Sequence, residues 1–123
     1  MIKFSPVSND KLPKPYCNDA SLNGYIGYDM NDSARECGFS VFRLGGYTME
    51  ILNIVTECDD ETVEGFIRSS LNYGANRGAY IAFFNSANGI KVAERLGFKA
   101  NDKKILEGEI PELLAGSCCK CKK

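Results

Sequence analysis

The spacing of apolar residues changes from strand-like to helix-like near the middle of the chain. In the first half, apolar residues alternate with polar or small ones in four short stretches: residues 2–7, 22–28, 37–44 and 47–55. A period of two is typical of strands that bury one face. Gly45-Gly46 predicts a two-residue hairpin turn between the last two stretches. The first half is therefore expected to form an antiparallel meander.

In the second half, Val63, Phe66, Ile67 and Leu71 fall at helical spacing and form one apolar stripe. Asp59 or Asp60 is expected to cap this helix by accepting hydrogen bonds from its free amides.

Residues 79–84 are nearly all apolar, as in a buried central strand. A second helix, capped by Ser86 or Asn88, is expected to end at Gly97. The order strand, helix, strand, helix predicts an α/β (α+β) fold with a mixed sheet.

Composition narrows the class of protein. The chain has 123 residues, no histidine and a net charge of −1. We expect one domain over residues 1–117 and a Cys/Lys-rich tail over residues 118–123. Scattered basic residues argue against nucleic acid, and no apolar run is long enough for a membrane span. Without a signal-like leader the expected location is the cytoplasm.

The junction between the fourth strand and the first helix, residues 57–64, is strongly acidic. Helix starts of this kind usually hold phosphate through glycines and bare amides, whereas this one is expected to repel anions. Three interpretations are open: a divalent-cation site at Asp59, Asp60 and Glu61, a docking patch for a cationic partner, or ordinary helix capping on a solvated face.

Several stretches together resemble the GNAT acyltransferase superfamily. They are residues 24–29 with 38–42 as an opening hairpin, 50–55 as the strand before the cofactor loop, and the helix, strand and helix of residues 66–78, 80–84 and 93–98. The helix ending in Leu96-Gly97-Phe98 is the most specific of these. The resemblance implies a GNAT-like mixed sheet and transfer of an acetyl group from acetyl-CoA to an amine.

The chain departs from the family pattern in three ways, so it resembles a truncated and divergent member. The family's first two helices have no counterpart in residues 8–20. Its phosphate-loop places fall near Cys58, Asp59, Glu61 and Val63, none of which suits a pyrophosphate. A tyrosine that the family commonly uses as general acid is replaced by Ala93. Acetyl-CoA is therefore disfavoured by the acidic junction.

Candidate site residues follow from the same resemblance. Glu50 is a candidate general base. The cofactor arm would contact residues of the fourth strand and of the loop after the fifth: Asn53, Ile54, Val55, Asn85 and Ser86. Strands 47–55 and 79–84 are expected to splay apart and leave a groove, with the free backbone of residues 53–55 along its edge.

The tail offers a different chemistry. Cys118, Cys119 and Cys121 are soft ligands that could hold Zn²⁺, although such a site needs a fourth ligand from elsewhere. The alternative is an exposed, redox-sensitive tail without metal.

Three functions are consistent with the sequence. The favoured one is a GNAT-like module without ordinary acetyl-CoA-dependent catalysis that binds a small molecule or a protein partner. The others are a divergent N-acetyltransferase acting on an amine, and a thiol or metal-binding protein. Loss of the first two helices would uncover an apolar sheet face, which predicts a homodimer whose partner or N-terminal segment covers that face.

Overall fold

The computed structural model describes the backbone of residues 1–121 and the side chains of residues 1–115. Within the described residues, seven strands and three α-helices follow one another along the chain. They are β1 (Ile2–Ser8), β2 (Leu22–Asp29), β3 (Arg35–Gly45), β4 (Thr48–Thr56), α1 (Asp60–Ala75), β5 (Ile81–Phe84), α2 (Ile90–Leu96), β6 (Lys99–Ala100), β7 (Leu106–Glu109) and α3 (Ile110–Cys121).

The strands form one mixed sheet in the order β1-β2-β3-β4-β5-β7-β6. Strands β1 to β4 are an antiparallel meander, as predicted, and β5 joins β4 in parallel. A parallel neighbour requires a crossover, which α1 supplies. The mixed α/β fold expected from the sequence is therefore confirmed.

The hairpin between β3 and β4 differs from the prediction by one residue. Gly45 pairs with Thr48, so the two central residues of the turn are Gly46 and Tyr47 rather than Gly45 and Gly46. Gly46 has φ of +69°, which glycine adopts without steric cost. The turn is therefore shifted by one residue, and Gly45 is the last residue of β3.

Helix α1 begins where the sequence predicts. The Asp59 side chain accepts a hydrogen bond from the amide of Thr62. The apolar stripe packs on one face of the sheet, with Phe66, Ile67 and Leu71 fully buried. This face, with α2 and the start of α3, contains the main hydrophobic core.

The start of α2 was predicted wrongly. Its N-cap is Gly89, with φ of +84°, and no side chain caps it. Ser86 and Asn88 instead bond to β4. The end of α2 at Gly97, with φ of +124°, is as predicted.

Residues 9–21, all of which the structure describes, occupy the place of the family's first two helices. They contain two short 3-10 turns, Asn9–Lys11 and Tyr16–Asn18. Leu12 packs on Leu22 and Val41 on the sheet face opposite α1. The segment thereby covers the β1 to β4 part of this face, and the β5 and β7 part lies beyond it.

We predict that Gly24→Ala strongly destabilises the fold. A Cβ at Gly24 would overlap the backbone carbonyl oxygen of Ser40 on the neighbouring strand, and backbone cannot move aside cheaply. We expect a loss of about 2 kcal/mol or more in urea unfolding. The matched control is Gly45→Ala, whose Cβ would meet only Thr48, and it should lose less than about 0.5 kcal/mol. Equal stability of the two variants would contradict this packing.

Candidate functional site

Strands β4 and β5 pair over four residues and then separate. The last pair is Ile51 with Phe84, and the amide of Asn85 still donates to the carbonyl oxygen of Ile51 at 2.8 Å. At this point β4 contains a bulge, because Val41 and Phe42 of β3 face Asn53 and Ile51 and leave Leu52 without a pair. An extra residue in a strand reverses the direction in which the amide and carbonyl groups that follow it point. The amide and carbonyl of Ile54 consequently point into the gap beyond β5.

Side chains of the loop after β5 fill this gap. Ser86 Oγ accepts a hydrogen bond from the Ile54 amide at 3.0 Å and another from the Asn88 amide at 3.1 Å. Asn88 Nδ2 donates to the Ile54 carbonyl oxygen at 3.1 Å. We call these three residues the Ile54 clasp. The clasp corrects the expectation of a free backbone edge at residues 53–55.

The five predicted cofactor-binding residues separate into two groups. Ile54 and Ser86 belong to the clasp, and Asn53 lies beside it: Asn53 Nδ2 donates to the Tyr16 hydroxyl at 2.9 Å, and Ser86 Oγ donates to Asn53 Oδ1 at 3.5 Å. Val55 is partly exposed. Asn85, in contrast, lies in a groove on the sheet face opposite α1.

This sheet groove has a volume of about 670 Å³. Its floor is a row of side chains on neighbouring strands, Glu50 of β4, Phe83 of β5 and Glu107 of β7, which are paired in register. Side chains opposite each other on adjacent strands share one face of a sheet. The other lining residues come from the loops after β5 and β6: Asn85, Asn101, Asp102, Lys103 and Ile105.

The groove is acidic. Its lining carries the carboxylates of Glu50, Asp102 and Glu107 and the single ammonium of Lys103. Asn85 Nδ2 donates to Glu50 Oε2, and Asn101 Nδ2 donates to Glu107 Oε1 at 2.6 Å. These amides orient two of the carboxylates without neutralising them. Phe83 and Ile105 add apolar surface, so the groove combines apolar side chains with carboxylates.

Arg43 lies beside Glu50 but is shared. Its guanidinium is 3.7 Å from Glu50 and 3.5 Å from Asp19. With more than 40% of the Arg43 side chain exposed, these ion pairs are weak.

The structure thus brings together Glu50, the candidate general base, and Asn85, a candidate cofactor contact, which the sequence analysis had not paired. It adds Asn101, Asp102 and Glu107, which sequence reasoning missed. These three residues occur in a polar stretch without periodicity, and only the pairing of β7 with β5 brings them to Glu50.

The acidic junction acts structurally as a helix cap. Asp59 Oδ1 accepts from the amide and the hydroxyl of Thr62 at 3.1 and 2.9 Å, and the Asp59 carbonyl accepts from the Val63 amide at 3.2 Å. The hydrogen bond from the Thr62 hydroxyl, and then the one from the Thr62 amide, lower the pKa of Asp59. Two amides of the first turn of α1, those of Thr62 and Val63, are therefore already paired within the chain. Asp60 and Glu61 occupy the same first turn and are exposed.

The predicted metal sites have different outcomes. Within the described side chains, residues 1–115, no group of three or more Cys, Asp or Glu side chains is arranged to hold a metal ion. This corrects the divalent-cation interpretation of Asp59, Asp60 and Glu61. The zinc prediction at Cys118, Cys119 and Cys121 concerns side chains outside the described residues.

Solved structures with a similar fold are acetyltransferases or their relatives. GCN5 from Tetrahymena has a TM-score of 0.63 and 13% identity, over 88% of this chain and 96% of that one. The spermidine/spermine N-acetyltransferase SpeG from Vibrio cholerae has a TM-score of 0.66 and 9% identity, over 95% and 99%. PaiA N-acetyltransferase from Thermoplasma acidophilum, in complex with coenzyme A, has a TM-score of 0.62 and 12% identity, over 76% and 64%.

The fold of this chain is accordingly the GNAT acetyltransferase fold, which the sequence resemblance predicted. No protein-family model and no curated protein matches the sequence. Among the described residues, no helix has the length and apolar character needed to cross a membrane.

We predict that Ser86→Ala opens the clasp. The variant leaves the amides of Ile54 and Asn88 without their acceptor in a buried place, so we expect a loss of roughly 1–3 kcal/mol in urea unfolding. Amide hydrogen exchange at Ile54 should also accelerate. Ser8→Ala, which removes an exposed hydroxyl bonded to Asp10, is the control and should change neither measurement. Unchanged Ile54 exchange in Ser86→Ala would contradict the clasp.

We predict that Asp59 contributes stability that depends on pH. Because its folded-state pKa lies below the ordinary value of 3.8, the contribution is present above that value and is lost as pH falls through the folded pKa. Asp59→Ala should therefore have a lower Tm than the parent at pH 7, and the difference should shrink at about pH 3. Asp60→Ala, with no cap bond in the structure, is the control. Thermal unfolding followed by circular dichroism measures both, and a pH-independent difference would count against the cap.

Proposed function

We propose that this chain is a GNAT-fold binding module that takes a small cationic ligand in the sheet groove. The supporting observation is the acidity of the groove, in which the carboxylates of Glu50, Asp102 and Glu107 outnumber the Lys103 ammonium. A protonated amine fits beside the carboxylates, and the apolar part of a ligand fits on Phe83 and Ile105. Partial burial strengthens such charge interactions relative to open solvent.

The similar structure of SpeG gives this proposal independent support. That protein is named for spermidine and spermine, which are cationic at neutral pH. The likeness is one of fold alone, so the groove of this chain carries the argument and the comparison suggests which amines to test first.

The same proposal assigns acetyl-CoA no ordinary role, because the residues present do not fit it. PaiA, which contains coenzyme A, shows that this fold accommodates the cofactor. In this chain the amides of Thr62 and Val63 in the first turn of α1 are bonded to Asp59, and the carboxylates of Asp60 and Glu61 would repel a pyrophosphate. The clasp also occupies the backbone groups of Ile54, which a cofactor arm entering the gap would need.

A second candidate function is N-acyl transfer to an amine, with Glu50 as general base. Glu50 favours it because its carboxylate lies in the groove, one residue before β4 and β5 stop pairing. Turnover distinguishes the candidates: formation of acetylspermidine from acetyl-CoA, lost in Glu50→Gln, would select the enzyme over the binding module. The homodimer and a protein partner remain further proposals for the same sheet face.

We predict that spermidine binds to the groove. Calorimetry at low salt should detect binding that weakens about 10-fold, equivalent to 1.4 kcal/mol, in Glu107→Gln and in Glu50→Gln. Added salt should weaken it further because the interaction is electrostatic. Asp32→Asn, which changes an exposed carboxylate in the β2–β3 turn, is the control with the same change in net charge and should bind like the parent. Binding that the two groove variants leave unchanged would reject the groove.

Calorimetry also tests the proposal that acetyl-CoA has no ordinary role. Acetyl-CoA should give no binding at micromolar concentrations. Micromolar affinity that increases in Asp60→Asn or Glu61→Gln would place its phosphates at the acidic junction and overturn this part.

A further inference from the structure

Two cysteines that play no part in the groove lie together at the acidic junction. Cys37 is near the start of β3 and half-buried, and Cys58 is exposed two residues after β4. Neither is in a disulfide. The sequence shows them as unrelated residues, and only the pairing of β3 with β4 makes them neighbours.

The side chain of Thr56 ties the two cysteine backbones together. Its hydroxyl donates to the carbonyl oxygen of Cys37 at 2.8 Å and accepts from the amide of Cys58 at 3.1 Å. Gly38 of β3 pairs with Thr56 of β4. Cys37 precedes Gly38 and Cys58 follows Thr56, so both cysteines lie at the same end of the sheet. This arrangement fixes the relative positions of the cysteines while leaving Cys58 at the surface.

The two thiols also influence each other. Burial, then the charge of the Cys58 thiolate and a hydrogen bond with Cys58, and more weakly Asp29, together raise the pKa of Cys37 to about 11. On the other side, Gly27 makes room for Cys37, since a Cβ at Gly27 would lie 3.2 Å from its sulfur. The Cys37 thiol is therefore half-buried, with Cys58 as its thiol neighbour.

We propose that Cys37 and Cys58 form a reversible disulfide that links β3 to the junction between β4 and α1, by exchange with a small uncharged disulfide. This modification site is independent of the ligand in the sheet groove. Thr56 already holds the backbones of the two residues near each other.

The exchange proceeds in two balanced steps. The exposed Cys58 thiolate attacks the small disulfide, whose S–S bond breaks, and the departing thiolate takes a proton to become a free thiol. Cys37 then loses its proton and attacks the Cys58 sulfur of the mixed disulfide, releasing the second thiol. Two protein thiols become one disulfide, and one small disulfide is reduced to two thiols.

The junction selects the oxidant by charge. Glu57, Asp59 and Asp60 surround Cys58 in the chain and are exposed. They disfavour approach of an anionic disulfide such as glutathione disulfide and leave a neutral one unhindered. The rate difference between these two oxidants should shrink at high salt.

The disulfide should stabilise the chain, because it closes a loop of the unfolded state between residues 37 and 58. By loop-closure entropy the expected gain corresponds to a rise in Tm of about 10 °C. Reduction should remove the gain completely.

The experiment uses the full chain and 2-hydroxyethyl disulfide as the neutral oxidant. After oxidation, non-reducing peptide mapping by mass spectrometry locates each linkage, and thermal unfolding is measured before and after dithiothreitol. We expect a Cys37–Cys58 peptide and a raised Tm in the parent and in the control Cys17→Ser. Cys58→Ser, which alters an exposed side chain and should fold normally, should show neither.

A further variant tests the order of the steps. Cys37→Ser should accumulate the mixed disulfide on Cys58. The proposal is overturned if oxidation of the parent joins only tail cysteines, or if the parent retains the mixed disulfide on Cys58 without forming the link to Cys37. It is equally overturned if the mapped link forms but Cys58→Ser shows the same rise in Tm.

Discussion

The structure depends on the hydrogen bonds made by the amide and carbonyl of Ile54 at the point where the parallel strands β4 and β5 separate. A buried amide or carbonyl without a partner costs roughly 1–3 kcal/mol, and the bulge at Leu52 turns both groups of Ile54 towards a gap that β5 no longer fills. Ser86 and Asn88 supply the partners. Because they do, the loop after β5 is held against β4, and α2 begins only at Ile90, after its N-cap Gly89.

The distribution of carboxylates gives the fold its chemical character. One group borders the sheet groove and another surrounds the start of α1, on opposite faces of the same sheet. At the helix start they satisfy amides within the chain, and in the groove they are held by side-chain amides that leave their charge intact. A fold that in other proteins accommodates an anionic cofactor is here lined by groups that favour cations.

Local patterns in the sequence predicted the local structure well. The alternation of apolar and polar residues predicted the meander, and the apolar stripe predicted α1. Asp59 and Gly97 indicated helix ends correctly, because helix caps depend on only a few neighbouring residues. The roles of Ser86 and Asn88 were missed because a bulge in β4 leaves no signature in composition. Their residue types are those of helix caps, and only the distant peptide of Ile54 reveals the use made of them.

The groove was predictable on one side only. The positions of Glu50 on β4 and of Asn85 directly after β5 could be predicted from those strands. Glu107 comes close to them only through the antiparallel pairing of β7 with β5, a long-range contact in the chain. The resemblance to GNAT proteins could not predict the position of Glu107, because the resemblance rests on residues 24–98. Cys37 and Cys58 became neighbours in the same way, through a strand register that no sequence spacing reports.

The short segment between β1 and β2 has a consequence for ligand choice. Residues 9–21 rest on Leu22 and Val41 and end before β5 and β7, so no helix of the part of the chain that the structure describes covers that side of the sheet beside β5 and β7. A ligand bound in the groove can extend into solvent there without contacting protein. Selection among ligands would then depend on the charged group that the groove binds, and the length of the rest of the ligand would matter little.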